Sequence, residues 1–217
     1  MTERLIVGIC GSPRKGGAEI LLRRALAEAE NRGSITTKIV LLRQEKISYC
    51  SGCLECSDPV EQGSGCQVHS DSMDKIVDLL LECHGLIMAT PVYLGGPTAQ
   101  LKTLMDRTEP LLRYVAGPWK SAMRNKIGAG IAVGGNRGGG QEATLQALHH
   151  FFFVHDMVVV GTGPEEWPGC YLGTSAWSGI MDYRSEDLEA VRHDQVGMRA
   201  AAIIGRRVAE AVGRMFR

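Results

Sequence analysis

The chain has 217 residues, with Lys plus Arg and Asp plus Glu equal at 24 each, so its formal charge at pH 7 is zero. That balance gives no electrostatic basis for gripping nucleic acid or an anionic membrane, and neither is expected as a partner. Hydrophobic residues make up 44% and charged residues 22%, the proportions of a water-soluble globular chain. The apolar run at 5–9 is too short for a signal sequence, and no stretch approaches the ~18 apolar residues of a membrane span. The expectation is a cytoplasmic protein built as one domain over residues 1–217.

Short apolar runs alternate with helix-period segments along the whole chain. Residues 5–10 read as a first strand, and 18–31 as a helix with Ile20, Leu21, Ala25, Leu26 and Ala29 along one side. Residues 37–42 form the second strand. Ser70 is the expected cap of a helix over 71–83, where Ile76, Val77, Leu80 and Leu81 recur at helical spacing. A third strand over 85–90 stops at Pro91, and Pro97 opens a helix through Leu101, Leu104 and Met105. Residues 127–133 give a fourth strand, 141–154 a helix, and 157–161 a fifth strand. A last long helix starts near Glu186 and places Ala201, Ile204, Val208 and Ala211 on one face. Strands without alternating polarity, separated by helices, describe a parallel sheet covered on both faces, joined by right-handed crossovers. Residues 43–69 are too long for a strand-to-helix loop and read as an insertion with a function. The stretches 109–126 and 162–184 read as irregular, and the second carries Trp167, Tyr171, Trp177 and Tyr183.

In such a sheet, ligands bind beyond the carboxyl ends of the strands. Three loops on that edge are unusual. The first, Gly11-Ser-Pro-Arg-Lys-Gly-Gly17, precedes a helix whose N-terminus favours a phosphate, with Ser12 and Arg14 as side-chain donors. It lacks the Walker and dinucleotide patterns, and a plain glycine turn is the alternative. The second, Pro91-Val-Tyr-Leu-Gly-Gly-Pro97, offers free amides and one aromatic to the edge of a flat cofactor; its plain alternative is a turn with Tyr93 half-buried. The third, Gly134-Gly-Asn-Arg-Gly-Gly-Gly140, is so rich in glycine that close backbone approach to a ligand is the leading reason for it, with a flexible lid as the alternative.

Cysteines give the sharpest signal. Cys50, Cys53 and Cys56 are each separated by two residues, and Cys66 follows after nine more. Three thiolates so spaced converge readily on one face of an iron–sulfur cubane. Zinc sites more often use two separated Cys-x2-Cys pairs, so the cluster leads, with zinc and uncommitted thiols as alternatives. Cys10 and Cys83 fall in apolar segments and read as core residues. His149 and His150 stand beside Phe151–Phe153, where packing is the better reading, and no hydrolytic triad stands out.

The first loop with its helix, the Thr90-Pro-Val-Tyr-Leu-Gly95 run and the third glycine loop together resemble the NADPH-dependent FMN reductase family, over about residues 5–163. Within it the chain is most similar to the iron–sulfur flavoproteins. The resemblance implies a flavodoxin-like three-layer sandwich with five parallel strands in the order 2-1-3-4-5. It implies FMN held at its phosphate by Ser12, Arg14, Gly16, Gly17, Ala18 and Glu19. Pro91, Val92, Tyr93, Leu94, Gly95, Gly134, Gly135 and Asn136 would line its ring. It also implies a [4Fe–4S] cluster on Cys50, Cys53, Cys56 and Cys66, and a homodimer or homotetramer in which cluster and flavin meet across a subunit interface. The chain departs from the family pattern in having Ala18 before Glu19 where Asn-Thr is usual, and in its wide gap before Cys66.

The leading expectation is therefore an FMN-dependent electron-transfer oxidoreductase serving a small-molecule or protein redox partner, with a ferredoxin-like donor included. A cluster-free NAD(P)H-dependent FMN or quinone reductase is the alternative, and a flavodoxin-like carrier without turnover is the third. Simple electron transfer needs no dedicated protein acid or base, because the cofactor carries the chemistry.

Overall fold

Parallel pairing organises the chain around one sheet, seen in a computed structural model that describes residues 3–57, 66–113, 121–164, 170–179 and 190–216. Its strands are β1 (Arg4–Cys10), β2 (Ile35–Leu41), β3 (Gly85–Pro91), β4 (Ile127–Gly134), β5 (Val158–Val159) and β6 (Thr174–Trp177). The order is β2-β1-β3-β4-β5, and β6 also pairs with β4. The helices are α1 (Gly17–Glu30), α2 (Met73–Glu82), α3 (Ala99–Asp106), α4 (Glu109–Arg113), α5 (Gln141–Val154) and α6 (Gln195–Met215). Alternating strands and helices predict a parallel sheet covered on both faces, and the order is the flavodoxin-like one that the family resemblance implies.

Apolar residues fill both faces of the sheet because both faces are covered. On one face Ile6, Ile87 and Ile131 pack with Leu21, Leu22 and Ala25 of α1 and Ile204 and Val208 of α6. On the other, Val7, Ile9 and Met88 pack with Ile76 and Leu80 of α2, Leu101 and Leu104 of α3, and Phe152 of α5. Lys126, just before β4, is buried and donates its Nζ protons to the carbonyls of Leu80, Leu81 and Cys83, closing the C-terminal end of α2.

Several expectations need correction. The fifth sheet position is shared: β5 pairs with Ile127 and Gly128, and β6 continues alongside Ile131 to Gly134. The stretch 162–184 therefore contains a strand, one whose Thr-Ser-Ala-Trp sequence carries neither alternation nor an apolar run. The stretch 109–126 likewise contains α4. Ser70 does not cap α2. Asp71 accepts the Met73 N–H at 2.9 Å instead, since its carboxylate is also fixed by Arg107. Pro97 stands outside α3, which Thr98 caps by accepting from the Leu101 N–H. The last helix begins at Gln195, where Asp194 accepts from the Gly197 N–H, after a 3-10 turn at Ala190–His193. Glu186, Trp167 and Tyr183 lie outside the described residues.

Candidate functional site

A cavity of about 850 Å³ opens at the carboxyl ends of β1, β3 and β4. The first loop supplies Ser12, Arg14, Gly16, Gly17 and Ala18 to its wall, and Lys15 with them. Ser12 is buried; its hydroxyl donates to the Arg14 carbonyl at 2.6 Å and accepts the Arg14 N–H at 3.3 Å. That proton is spent on holding the loop shut, so Ser12 shapes the turn that presents Arg14. Gly16 precedes α1 without any side-chain cap bond, leaving the amino end of a 14-residue helix free of a protein cap at the cavity. Glu19 does not line the cavity. Its buried carboxylate pairs with Arg23 and Arg43, both at 2.8 Å.

From the second loop Pro91, Val92, Tyr93 and Leu94 line the cavity. Tyr93 and Gly96 exchange backbone hydrogen bonds of 2.9 and 3.1 Å around Leu94 and Gly95, both at positive φ (49° and 80°). Positive φ at both central residues is the pattern of a type I′ turn. It sets Leu94 fully exposed at the cavity mouth and keeps Gly95 in the turn behind it.

From the third loop Gly135 reaches the cavity, while Gly134 and Asn136 build the structure behind it. Gln141, at the start of α5, is 3% exposed and braces this loop from inside. Its Oε1 accepts the Gly139 N–H at 2.8 Å, and its Nε2 donates to the Asn136 carbonyl at 2.6 Å and the Ala176 carbonyl at 3.3 Å. The end of β6 adds two more ties: Trp177 Nε1 donates to the Gly135 carbonyl and the Ser178 N–H to the Gly134 carbonyl. Arg137 lies over the Trp177 ring, 4.4 Å from its centre. Gln141, Ser178 and Lys102, the last two on the cavity wall, carry no signal in the sequence, whereas Trp177 stands in the aromatic stretch 162–184. Replacing Gln141 with leucine removes three hydrogen bonds of about 1 kcal/mol each while keeping the side-chain bulk. The expected result is roughly ten-fold weaker FMN binding with little change in fold, measured by fluorescence titration of the apoprotein.

A second, small cavity is lined by all four predicted sulfur ligands, Cys50, Cys53, Cys56 and Cys66. Positive φ at Gly52 and Leu54 (69° and 64°) turns the chain between the cysteines, and the Gly52 N–H donates to Cys50 Sγ at 3.4 Å. Among the described residues no three Cys, His, Asp or Glu side chains stand together in ready metal-binding geometry. All four are cysteines on the lining of one cavity, a donor set of the kind thiolate-bound clusters use. Residues 58–65, between Cys56 and Cys66, lie outside the described set.

Arg107 ties this cavity to the fold. Its Nη atoms donate to the Ser48 carbonyl at 2.7 Å and to both Asp71 oxygens at 2.9 and 3.2 Å. Burial alone would raise the Asp71 pKa, but the Arg107 bonds, with those from the Ser48 and Met73 amides, bring it down to about 2. Helix α3 joins the two cavities: Ala99 and Lys102 line the larger one, Asp106 the smaller. Eight helical residues span about 12 Å. The other cysteines behave as core: burial pushes the Cys10 and Cys83 thiols up to about 11. His149 is buried against Phe153, as packing predicts.

A parallel sheet in this order, with a glycine-loop cavity at its carboxyl edge, defines a flavodoxin-like protein with a ligand site at the strand ends. The chain belongs to the NADPH-dependent FMN reductase family, matching it over residues 5–164. It is 37% identical over 208 residues to an iron–sulfur flavoprotein of Methanocaldococcus jannaschii, covering 95% of this chain and 96% of that one. An iron–sulfur flavoprotein of Methanosarcina thermophila is 41% identical over 157 residues, 72% of this chain and 76% of the relative. The solved flavodoxin-like WrbA-like protein of Agrobacterium tumefaciens superposes with a TM-score of 0.63 at 18% identity, covering 99% of both chains, which speaks for the fold. The protein is accordingly an FMN-dependent oxidoreductase. Among the described residues no helix is long and apolar enough to cross a membrane.

Proposed function

We propose that this protein is a two-centre electron carrier, holding FMN in the larger cavity and a [4Fe–4S] cluster on Cys50, Cys53, Cys56 and Cys66. The observation that supports it is that all four cysteines line one cavity, one short helix away from the larger one. When bound, the flavin supplies hydride and one-electron chemistry and the cluster one-electron transfer. The chain's own residues do the rest. Arg14, Lys15 and the open amino end of α1 supply the positive potential for the FMN phosphate. Pro91, Val92, Tyr93 and Leu94, with Gly135 from the third loop, would flank the ring, and exposed Tyr93 and Leu94 would stand at its mouth. Asp71 and Arg107 tie Ser48, at the start of the cysteine segment, to the start of α2 at its other end.

The physiological arrangement in this reading is a homodimer or homotetramer of a cytoplasmic protein, with a ferredoxin-like or small-molecule donor. Exposed Tyr93 and Leu94 are suited to be covered by a second copy. The NADPH in the family's name supports the alternative, hydride transfer from NAD(P)H with no cluster.

Iron, acid-labile sulfide and FMN counted per chain, on protein purified without oxygen, separate the two. The expected result is about four irons, four sulfides and one FMN. Cys53→Ser should lose most of the iron and sulfide while keeping FMN, because the two cavities share no lining residue. Flavin with neither iron nor sulfide, bleached rapidly by NADPH alone, would establish the reductase instead.

A further inference from the structure

Arg107 is 3% exposed, and its guanidinium is only partly used. A guanidinium carries five N–H donors. The Nη groups serve Ser48 and Asp71, but Nε is buried and has no hydrogen-bond partner among the described residues. A buried donor left unpaired is destabilising by about 1–3 kcal/mol, so native proteins rarely keep one without a use. The cavity that Arg107 lines is the one lined by the four cysteines. The neighbouring carboxylate of Asp106 is engaged by Lys102. The same cavity already shows an N–H to sulfur bond, from Gly52 to Cys50.

Resting on the cluster reading above, we propose that the Arg107 Nε–H donates a hydrogen bond to a cluster sulfur, that of Cys50 or Cys66 or a bridging sulfide, and thereby raises the cluster's reduction potential. Reduction adds negative charge, and a cationic donor held in a poorly solvated site favours the more negative state. Hydrogen bonds to sulfur are among the factors that set the potentials of such centres. Arg107 thus has two duties on two sides. Its Nη edge locks the segment to Asp71, and its Nε edge tunes the group that the segment holds.

The decisive experiment uses holoprotein with guanidino-¹⁵N arginine, reduced and frozen for pulsed electron paramagnetic resonance. Arg107 is the sole arginine among the described residues lining this cavity, so a ¹⁵N hyperfine coupling to the cluster spin is expected and is assigned to it. Arg107→Lys keeps a cation for Asp71 but has no Nε. It should lose the coupling, and at a fixed applied potential its reduced-to-oxidised cluster ratio should fall about ten-fold, equivalent to 59 mV for a one-electron couple. The wild-type coupling is informative even if the variant folds poorly. Full iron and sulfide loading with no ¹⁵N coupling overturns this inference and leaves the two-centre reading standing. An unchanged potential and coupling in Arg107→Lys overturns it as well. Protein that binds FMN but no iron or sulfide refutes both, and the metal count tells the two failures apart.

Discussion

Gly134→Ala will weaken FMN binding by about 100-fold, close to 3 kcal/mol, the upper end of what an overpacked methyl usually does. A Cβ at this position would stand 2.3 Å from Gln141 Nε2, 2.6 Å from its amide carbon and 2.9 Å from the Asn136 carbonyl oxygen. The Asn136 oxygen is backbone and cannot rotate away. The Gln141 amide can move, but only by giving up its bonds to Gly139, Asn136 and Ala176. Either way the third loop loses the brace that holds Gly135 at the cavity wall. The sheet itself should persist, because the ladder between β3 and β4 runs from Gly85 and Ile127 to Pro91 and Val133, ending one residue short of Gly134.

A double-mutant cycle tests this cause directly. If displacement of the Gln141 amide is the damage, Gly134→Ala combined with Gln141→Leu should bind FMN about as weakly as Gly134→Ala alone. Strict additivity of the two losses would mean that the methyl acts elsewhere, and the bracing account would fail. Circular dichroism and denaturant midpoints on each apoprotein show whether the global fold has survived.

The contrast between Gly134 and Gln141 shows what the sequence makes legible. A crowd of glycines after an apolar run signals close backbone approach, because few other roles tolerate so much lost chain entropy. Gln141 gives no such signal: a polar residue at the start of a helix is ordinary, and its burial follows from β6 arriving beside β4. That strand was itself hidden, since four residues reading Thr-Ser-Ala-Trp take their conformation from the exposed edge they complete. The helices α1 and α5 and the strands β1, β3 and β4 were readable within a residue or two because periodicity and continuous apolarity are local properties, whereas α6 starts about nine residues later than its pattern suggests. Arg107 with Asp71 is the opposite case. Two charged residues 36 positions apart look like solvated surface until α2 and α3 are placed side by side. The cysteine spacing lies between these extremes. It suggests a shared site, and the four cysteines line one cavity, while the turn between them depends on Gly52 and on Leu54 at a positive φ that no pattern reveals.

Stability should decline from pH 6.5 to about 4 by roughly 3 kcal/mol through one buried ring, His155. This side chain is 1% exposed and sits between Thr108 and Ser121, with contacts of 2.9 Å at Nε2 and 3.1 Å at Nδ1. The Thr108 hydroxyl donates to the Met105 carbonyl, so it must accept from His155, which puts the proton on Nε2. Nδ1 then accepts from Ser121, whose oxygen also takes the Met123 N–H. The neutral ring satisfies every partner, and burial pulls its pKa from 6.5 down to about 4. Above pH 6.5 the ring is neutral in folded and unfolded chains alike, and its contribution is complete. As pH falls, the unfolded chain takes up a proton that the native ring refuses, so stability drops by about 1.4 kcal/mol per unit. Near pH 4 the native ring protonates too and the loss levels off. Asp71, held down to about 2, begins to act only below its usual 3.8, so it falls outside this window. His84 and His149 are also lowered by burial and contribute to the same trend. Urea unfolding at pH 7, 5.5 and 4.5, for wild type and His155→Asn, isolates the ring. Asparagine should lower stability at pH 7 but flatten the dependence on pH. An equally steep decline in the variant would assign the acid sensitivity to other groups and remove His155 from the account.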